Sequence, residues 1–338
     1  MDVIDRIKGL ISTVVSGAMP VPSIVDFGTD GTPQSTQADT IEPFKHYFRL
    51  DINQLFISKG RQFWVDFDPL VYAAVDYLQG QQRVVASTIV GPRAIDTGKI
   101  AKPHGFLLND IRVAGPVPFN GGDVGVTIIL YKIAQKNYAQ TIMKLIETVA
   151  ASQSSLAAVS KAANLGSILL DGVQGLLELR DNVPVMGQRF EINTATARGF
   201  LPICRALIKD GPSSLDILVS DNRLRDARED FQASDFVLYS LSRVMQRDDH
   251  RSLPFFSLVT DACVAVTKGP EGNDAAKGIL ISLYNEMLKS EELTYQDRER
   301  LFAEYVGMVK QSKAAVATLG RNPVISDFRR GLDLIGTL

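Results

Sequence analysis

The residues of this chain with the means to do chemistry are few: three histidines, two cysteines and some closely spaced aspartates. Nucleophilic catalysis needs a nucleophile, a base and an orienting group that the fold brings together. The histidines are His46 beside Tyr47, His104 in the loop KPHG, and His250 in the charged turn QRDDHRS. Sequence distance alone does not separate Cys204 or Cys263 from His250. Both cysteines, however, have apolar neighbours, which describes small buried hydrophobes rather than exposed reactive thiols. No G-x-S-x-G elbow is present in the sequence. The sequence therefore specifies no catalytic residue.

Carboxylates could still hold Mg²⁺ or hydrolyse a glycoside. Asp66 and Asp68 alternate with Trp64, Val65 and Phe67 in WVDFDP, so they belong to one face of a strand. With His104 and Asp110 they make the polar cluster that an enzyme assembled by its fold would use. The plainer reading is the solvated face of an amphipathic strand that ends at Asp-Pro, and it is the one favoured. Zinc would need four ligands at short paired spacings, which the chain lacks. No metal ligand and no cofactor is expected. Gly121, Gly122 and Gly125 precede a strand, whereas a phosphate loop lies between a strand and a helix. A hairpin turn is the expectation there.

Charge excludes little but weakens one class. The formal net charge is -2, so long-range attraction to nucleic acid is not built into the chain. In RLRDAREDF, Arg223, Arg225 and Arg228 meet Asp226, Glu229 and Asp230, which reads as a salt-bridged surface.

The elements that must position these residues follow from periodicity. In the first 19 residues Ile4, Ile7, Ile11, Val14 and Val15 recur at helical spacing, predicting an amphipathic helix. Its mixed charges, Asp2 and Asp5 before Arg6 and Lys8, do not suit a secretory signal. No stretch reaches the roughly 18 uninterrupted apolar residues of a membrane span, so a cytoplasmic chain is expected. Gly, Pro, Ser and Asp between 20 and 43 read as a flexible linker. From Phe44 to 135 alternating apolar residues predict a β-rich domain, with Val124, Val126, Ile128 and Leu130 the clearest strand. A low-charge helical pair is expected over 136–182, a second β-rich block over 183–250, and a helical region over 251–338. Thr294 and Asp297 have the spacing of a capping box. The fold class is α+β: antiparallel β-sandwich-like blocks with an inserted helical pair and a helical C-terminal tail.

Such parts favour contact over catalysis. The leading expectation is a non-enzymatic scaffold or adaptor that engages a protein partner through the N-terminal helix or a sheet edge. Ile4, Ile7, Ile11, Val14 and Val15 are the candidate contact residues, and a second copy of the chain is one form of partner. Nucleic acid is not expected, and membrane contact is disfavoured because the helix has no Lys and Arg excess. Two alternatives stand beside it. One is an enzyme using the carboxylate and histidine cluster. The other is a membrane-acting effector using the low-charge helices at 140–180, where Gly166, Gly172 and Gly175 permit close helix packing.

Overall fold

The computed structural model describes residues 22–28, 30–33, 39–57, 61–62, 65–79, 82–90, 106–134, 183–192, 199–211, 217–226 and 229–319. They belong to two compact units, Met1–Met245 and Gln246–Leu338. The predicted N-terminal helix with Ile4, Ile7, Ile11, Val14 and Val15, the helical pair at 136–182 and His104 lie outside the described residues.

The first unit is built from antiparallel sheets. One has the order β1 (Ser23–Phe27), β9 (Ile203–Ile208), β13 (Phe236–Val244), β2 (Tyr47–Ile57), β6 (Phe106–Pro118). The other contains β3 (Arg61–Gln62), β4 (Val65–Gln79), β7 (Val124–Ala134) and β8 (Val183–Ile192), with β5 (Gln82–Val90) also paired to β4. Strands from 44–135 and from 183–250 thus share both sheets, joined where β13 pairs with β2 and where β8 pairs with β7. β1 arises in the stretch read as a linker: Val25 and Phe27 turn inward and the strand pairs with β9 from Ser23↔Ile208 to Phe27↔Cys204.

Inward-facing alternates of the two sheets meet in one core. Phe48, Leu50 and Ile52 of β2 and Val237, Tyr239 and Leu241 of β13 pack with Val71, Ala73 and Val75 of β4 and Val126, Ile128 and Leu130 of β7. Within the core lies a buried ion pair, Lys132 Nζ to Asp235 Oδ2 at 3.0 Å. Alternation of apolar residues along β2 describes a half-buried strand. Instead it is covered on both faces, because a small sheet of β10 (Ile217–Ser220), β11 (Arg223–Asp226) and β12 (Glu229–Asp230) supplies Ile217 and Leu224 to a second core with Phe56, Phe236 and Leu238. Gln54, fully buried in β2, accepts a hydrogen bond from the Leu224 amide at 2.7 Å. β10 and β11 are joined by Asp221 and Asn222 at φ +53° and +60°, the residue types and conformation of a type I′ hairpin.

Two local expectations change. β4 does not end at Asp-Pro but runs through Pro69, which lies opposite Lys132 of β7 and ahead of Val71, where β5 joins. A missing N–H is tolerated where a strand is paired on one side. Gly121 and Gly122, at positive φ, join β6 of one sheet to β7 of the other, so the turn crosses between sheets instead of closing a hairpin.

The second unit is helical, as the sequence predicts for the tail. Among the described residues it has α1 (Phe256–Ala265), α2 (Pro270–Lys289) and α3 (Tyr295–Leu319). α2 starts earlier than its apolar periodicity suggests, since Pro270 stands at the first helical position, where its missing N–H costs nothing. Phe255, Val259, Leu283, Met287, Leu301 and Tyr305 form the buried seam of the three helices. Among the described residues no helix is long and apolar enough to cross a membrane.

Candidate functional site

At one end of the first unit the chain reverses through Glu42-Pro43-Phe44-Lys45 before entering β2. Pro43 fixes the second turn position and Phe44 has φ +64°, while the Lys45 amide reaches the Glu42 carbonyl at 3.4 Å. That is the arrangement of a type II turn, whose third position ordinarily takes glycine or asparagine. A phenylalanine there meets its own carbonyl through Cβ, at a cost of about 1–2 kcal/mol.

The conformation persists because the surroundings fix it from every side. Upstream, Ile41 and Phe200 exchange both backbone hydrogen bonds, at 2.7 and 3.2 Å. Gly199 makes this approach feasible: a Cβ there would stand 2.2 Å from the Ile41 carbonyl oxygen. Downstream, Phe119 accepts from the Phe44 amide at 2.6 Å and donates to the His46 carbonyl at 3.0 Å. Across the turn, the His46 amide donates to the Glu42 carbonyl at 3.2 Å and the Glu42 amide donates to His46 Nδ1 at 2.9 Å. Below lies an aromatic floor of Phe48, Phe119 and Phe200, with Phe119 and Phe200 edge to face at 4.9 Å.

On this base Phe44 is 64% exposed, and Leu201, next to Phe200 in the chain, is 49% exposed. The Lys45–Glu42 ion pair, at 2.5 Å, spans Phe44 in the turn, and Arg243 of β13, paired with Asp39 at 2.8 Å, acts on Glu42 and His46. The Lys45 ammonium holds the Glu42 carboxyl below the usual range. Burial, and then the Arg243 charge, press the His46 imidazole below its ordinary value, against the opposing pull of Glu42. His46 is 7% exposed and spends Nδ1 on a backbone amide, so it is a structural acceptor and not a poised base. The arrangement offers an apolar knob on a fixed mount.

The aspartates singled out in the sequence are divided between the two sheets, and His104 lies outside the described residues. Asp66 and Asp68 lie in β4, opposite Arg61 and Ile133, whereas Asp110 lies in β6 of the other sheet. Among the described residues no three His, Cys, Asp or Glu could share a metal ion. Cys204 and Cys263 are free thiols, and burial pushes that of Cys204 up to about 11. In the second unit His250 Nδ1 meets the Tyr305 hydroxyl at 2.9 Å, with Glu304 at 3.8 Å from Nε2. Tyr305 is fully buried, so its bond to His250 belongs to the helical core. Of the charges at 223–230, Arg223 pairs with Asp230 as expected, at 3.7 Å, Arg225 pairs with Asp221, also at 3.7 Å, and Arg228 lies outside the described residues.

Sequence reasoning missed two features. Asp76, buried in β4, takes Arg189 Nη1 at 2.6 Å and Arg83 Nε at 2.8 Å, and Gly125 leaves the space these groups fill. That cluster neutralises charge inside the fold. The other is the turn itself, for which Pro43 followed by a bulky residue was the available signal. No family model, curated protein or solved structure matches this chain.

Proposed function

We propose that this chain is a non-enzymatic interaction protein, a scaffold or adaptor, that engages a protein partner by seating the Phe44 ring in an apolar pocket. The observation that carries this reading is a phenylalanine at a glycine position, held there by hydrogen bonds on both flanks and left 64% exposed. Strained residues persist where their surroundings over-determine them, and such strain concentrates at ligand clamps and switch regions. An aromatic ring on a rigid turn binds with little further loss of conformational freedom. Buried aromatic anchors ringed by polar groups dominate interface energetics, and here the Glu42–Lys45 pair spans Phe44.

The test is capture of partners on immobilised full-length chain. Wild type is compared with Phe44→Ala and Leu201→Ser, and with Ile24→Ser as an exposed apolar control elsewhere. A partner lost with both site variants and kept by the control supports the reading. Partner sets identical across all four chains overturn it. Ile4, Ile7, Ile11, Val14 and Val15 remain a second proposed contact by virtue of their spacing. A deletion that tests them should stop before Ser23, since β1 belongs to the sheet.

A further inference from the structure

The turn that presents Phe44 is closed by the one kind of side chain that titrates near neutrality without help. Its closing bond runs from the Glu42 amide to His46 Nδ1, so that nitrogen carries no proton in the closed turn. An imidazolium has a proton on both nitrogens, and Nδ1–H would point directly at the Glu42 N–H. We propose that His46 is a pH switch for the Phe44 surface: protonation opens the turn and withdraws the surface under mildly acidic conditions. The consequence for partner binding rests on the reading of Phe44 as a contact; the opening of the turn does not.

The charges facing His46 come from each side of the reversal. Glu42 and Lys45 flank it within the turn, Arg243 reaches it from β13, and Asp39, paired to Arg243, faces it from the chain before Ile41. Burial and the two cations disfavour the imidazolium and the two carboxylates favour it, with burial the largest influence and the outcome a lowered pKa. In an opened turn the ring regains water and its ordinary affinity for protons. The open form therefore binds more protons, and acid drives the chain toward it. The closed turn is fully favoured above the ordinary imidazole value of 6.5, and its advantage is lost as the pH falls from there through the lower value of the closed form.

Hydrogen exchange of the Glu42 amide in the full chain, corrected for intrinsic rate, measures the opening between pH 8 and pH 5. In wild type the opening constant should rise over the acidic part of that range, by up to about tenfold per pH unit. His46→Asn provides an Oδ1 that accepts at any pH, and its opening constant should be flat. A flat wild-type profile, or an equal slope in His46→Asn, overturns the switch. Should His46→Asn fail to fold, the wild type decides alone: the His46 ring and Glu42 amide chemical shifts must titrate with one midpoint, and separate midpoints sink the proposal. These readouts need no partner. Capture that is indifferent to Phe44 would remove the contact reading while leaving the switch standing, and a pH-independent turn with Phe44-dependent capture would do the reverse.

Discussion

Each unit has a chain segment secured by a side chain that captures a backbone N–H, four residues away in the first and fifty in the second, and the two differ in the capturing atom. In the first unit His46 Nδ1 takes the Glu42 amide at 2.9 Å. In the second, Asp297 at the start of α3 takes the Arg247 amide at 2.8 Å, while its other oxygen receives Arg300 Nε at 2.6 Å. Arg247 itself is gripped by Asp249 at 2.5 Å and by Glu292 at 2.6 Å. A carboxyl group can accept in either protonation state, whereas an imidazole nitrogen accepts only when bare. The carboxylate lock also holds no strained residue, while the imidazole lock holds Phe44 at positive φ. One lock is built for permanence and the other for release.

The sharpest test of that contrast is to remove each acceptor. Asp297→Ala strands two donors, one of them the buried Arg247 amide, and should cost about 3 kcal/mol, read from helical circular dichroism during denaturation of the full chain. His46→Ala should cost less, about 1–2 kcal/mol. The reverse ranking would break the comparison. Between them falls Gly199→Ala, where the new methyl meets the Ile41 carbonyl at 2.2 Å. We expect a loss of about 2 kcal/mol with the Ile41 and Phe200 amides losing protection first. Even loss of protection throughout the first unit would show that the Ile41–Phe200 bridge is not a local brace.

A smaller effect separates the locks by pH. The His46 pKa is lowered in the folded chain, so its unfolded form binds more protons and stability falls with acidification. The decline should begin near the ordinary value of 6.5, continue to the lower folded value and then level off. His46→Asn should erase that part of the pH dependence from the first unit. If the profile is the same in both chains, the imidazole is not the sensitive element.

Local periodicity made much of this architecture legible. Val124, Val126, Ile128 and Leu130 alternate in the sequence and line the core of β7. The tail helices follow their apolar spacing. β1 was hidden because its five residues sit among Gly, Pro and Asp, and only pairing with β9 makes them a strand. Thr294 and Asp297 show how far a motif reaches. The Thr294 hydroxyl does accept from the Asp297 amide at 3.3 Å, but the Asp297 carboxylate turns to Arg247 and Arg300. The Phe44 site was less legible still. Its floor joins Phe48, Phe119 and Phe200, which are distant in sequence, and the closing bond pairs a side chain with an amide four residues before it. Neither appears in composition or spacing, although Pro43 marks the turn.

The finest test uses opposite signs. Phe44→Gly removes the Cβ strain of about 1–2 kcal/mol but adds roughly 0.5–1 kcal/mol of chain entropy in the unfolded state. Phe44 is 64% exposed, so little burial is forfeited. A net gain in stability of about 0.5–1 kcal/mol should result, together with loss of the partner that wild type captures. Asn222→Gly is the matched control, since asparagine already suits φ +60° in the β10–β11 turn. That variant should be near neutral in stability and should keep the partner. Stability and binding moving apart at Phe44 alone would mark a residue retained for contact at a cost to the fold. If both fall together, Phe44 is part of the turn's own packing, and the contrast between a releasable and a permanent lock loses its exposed end.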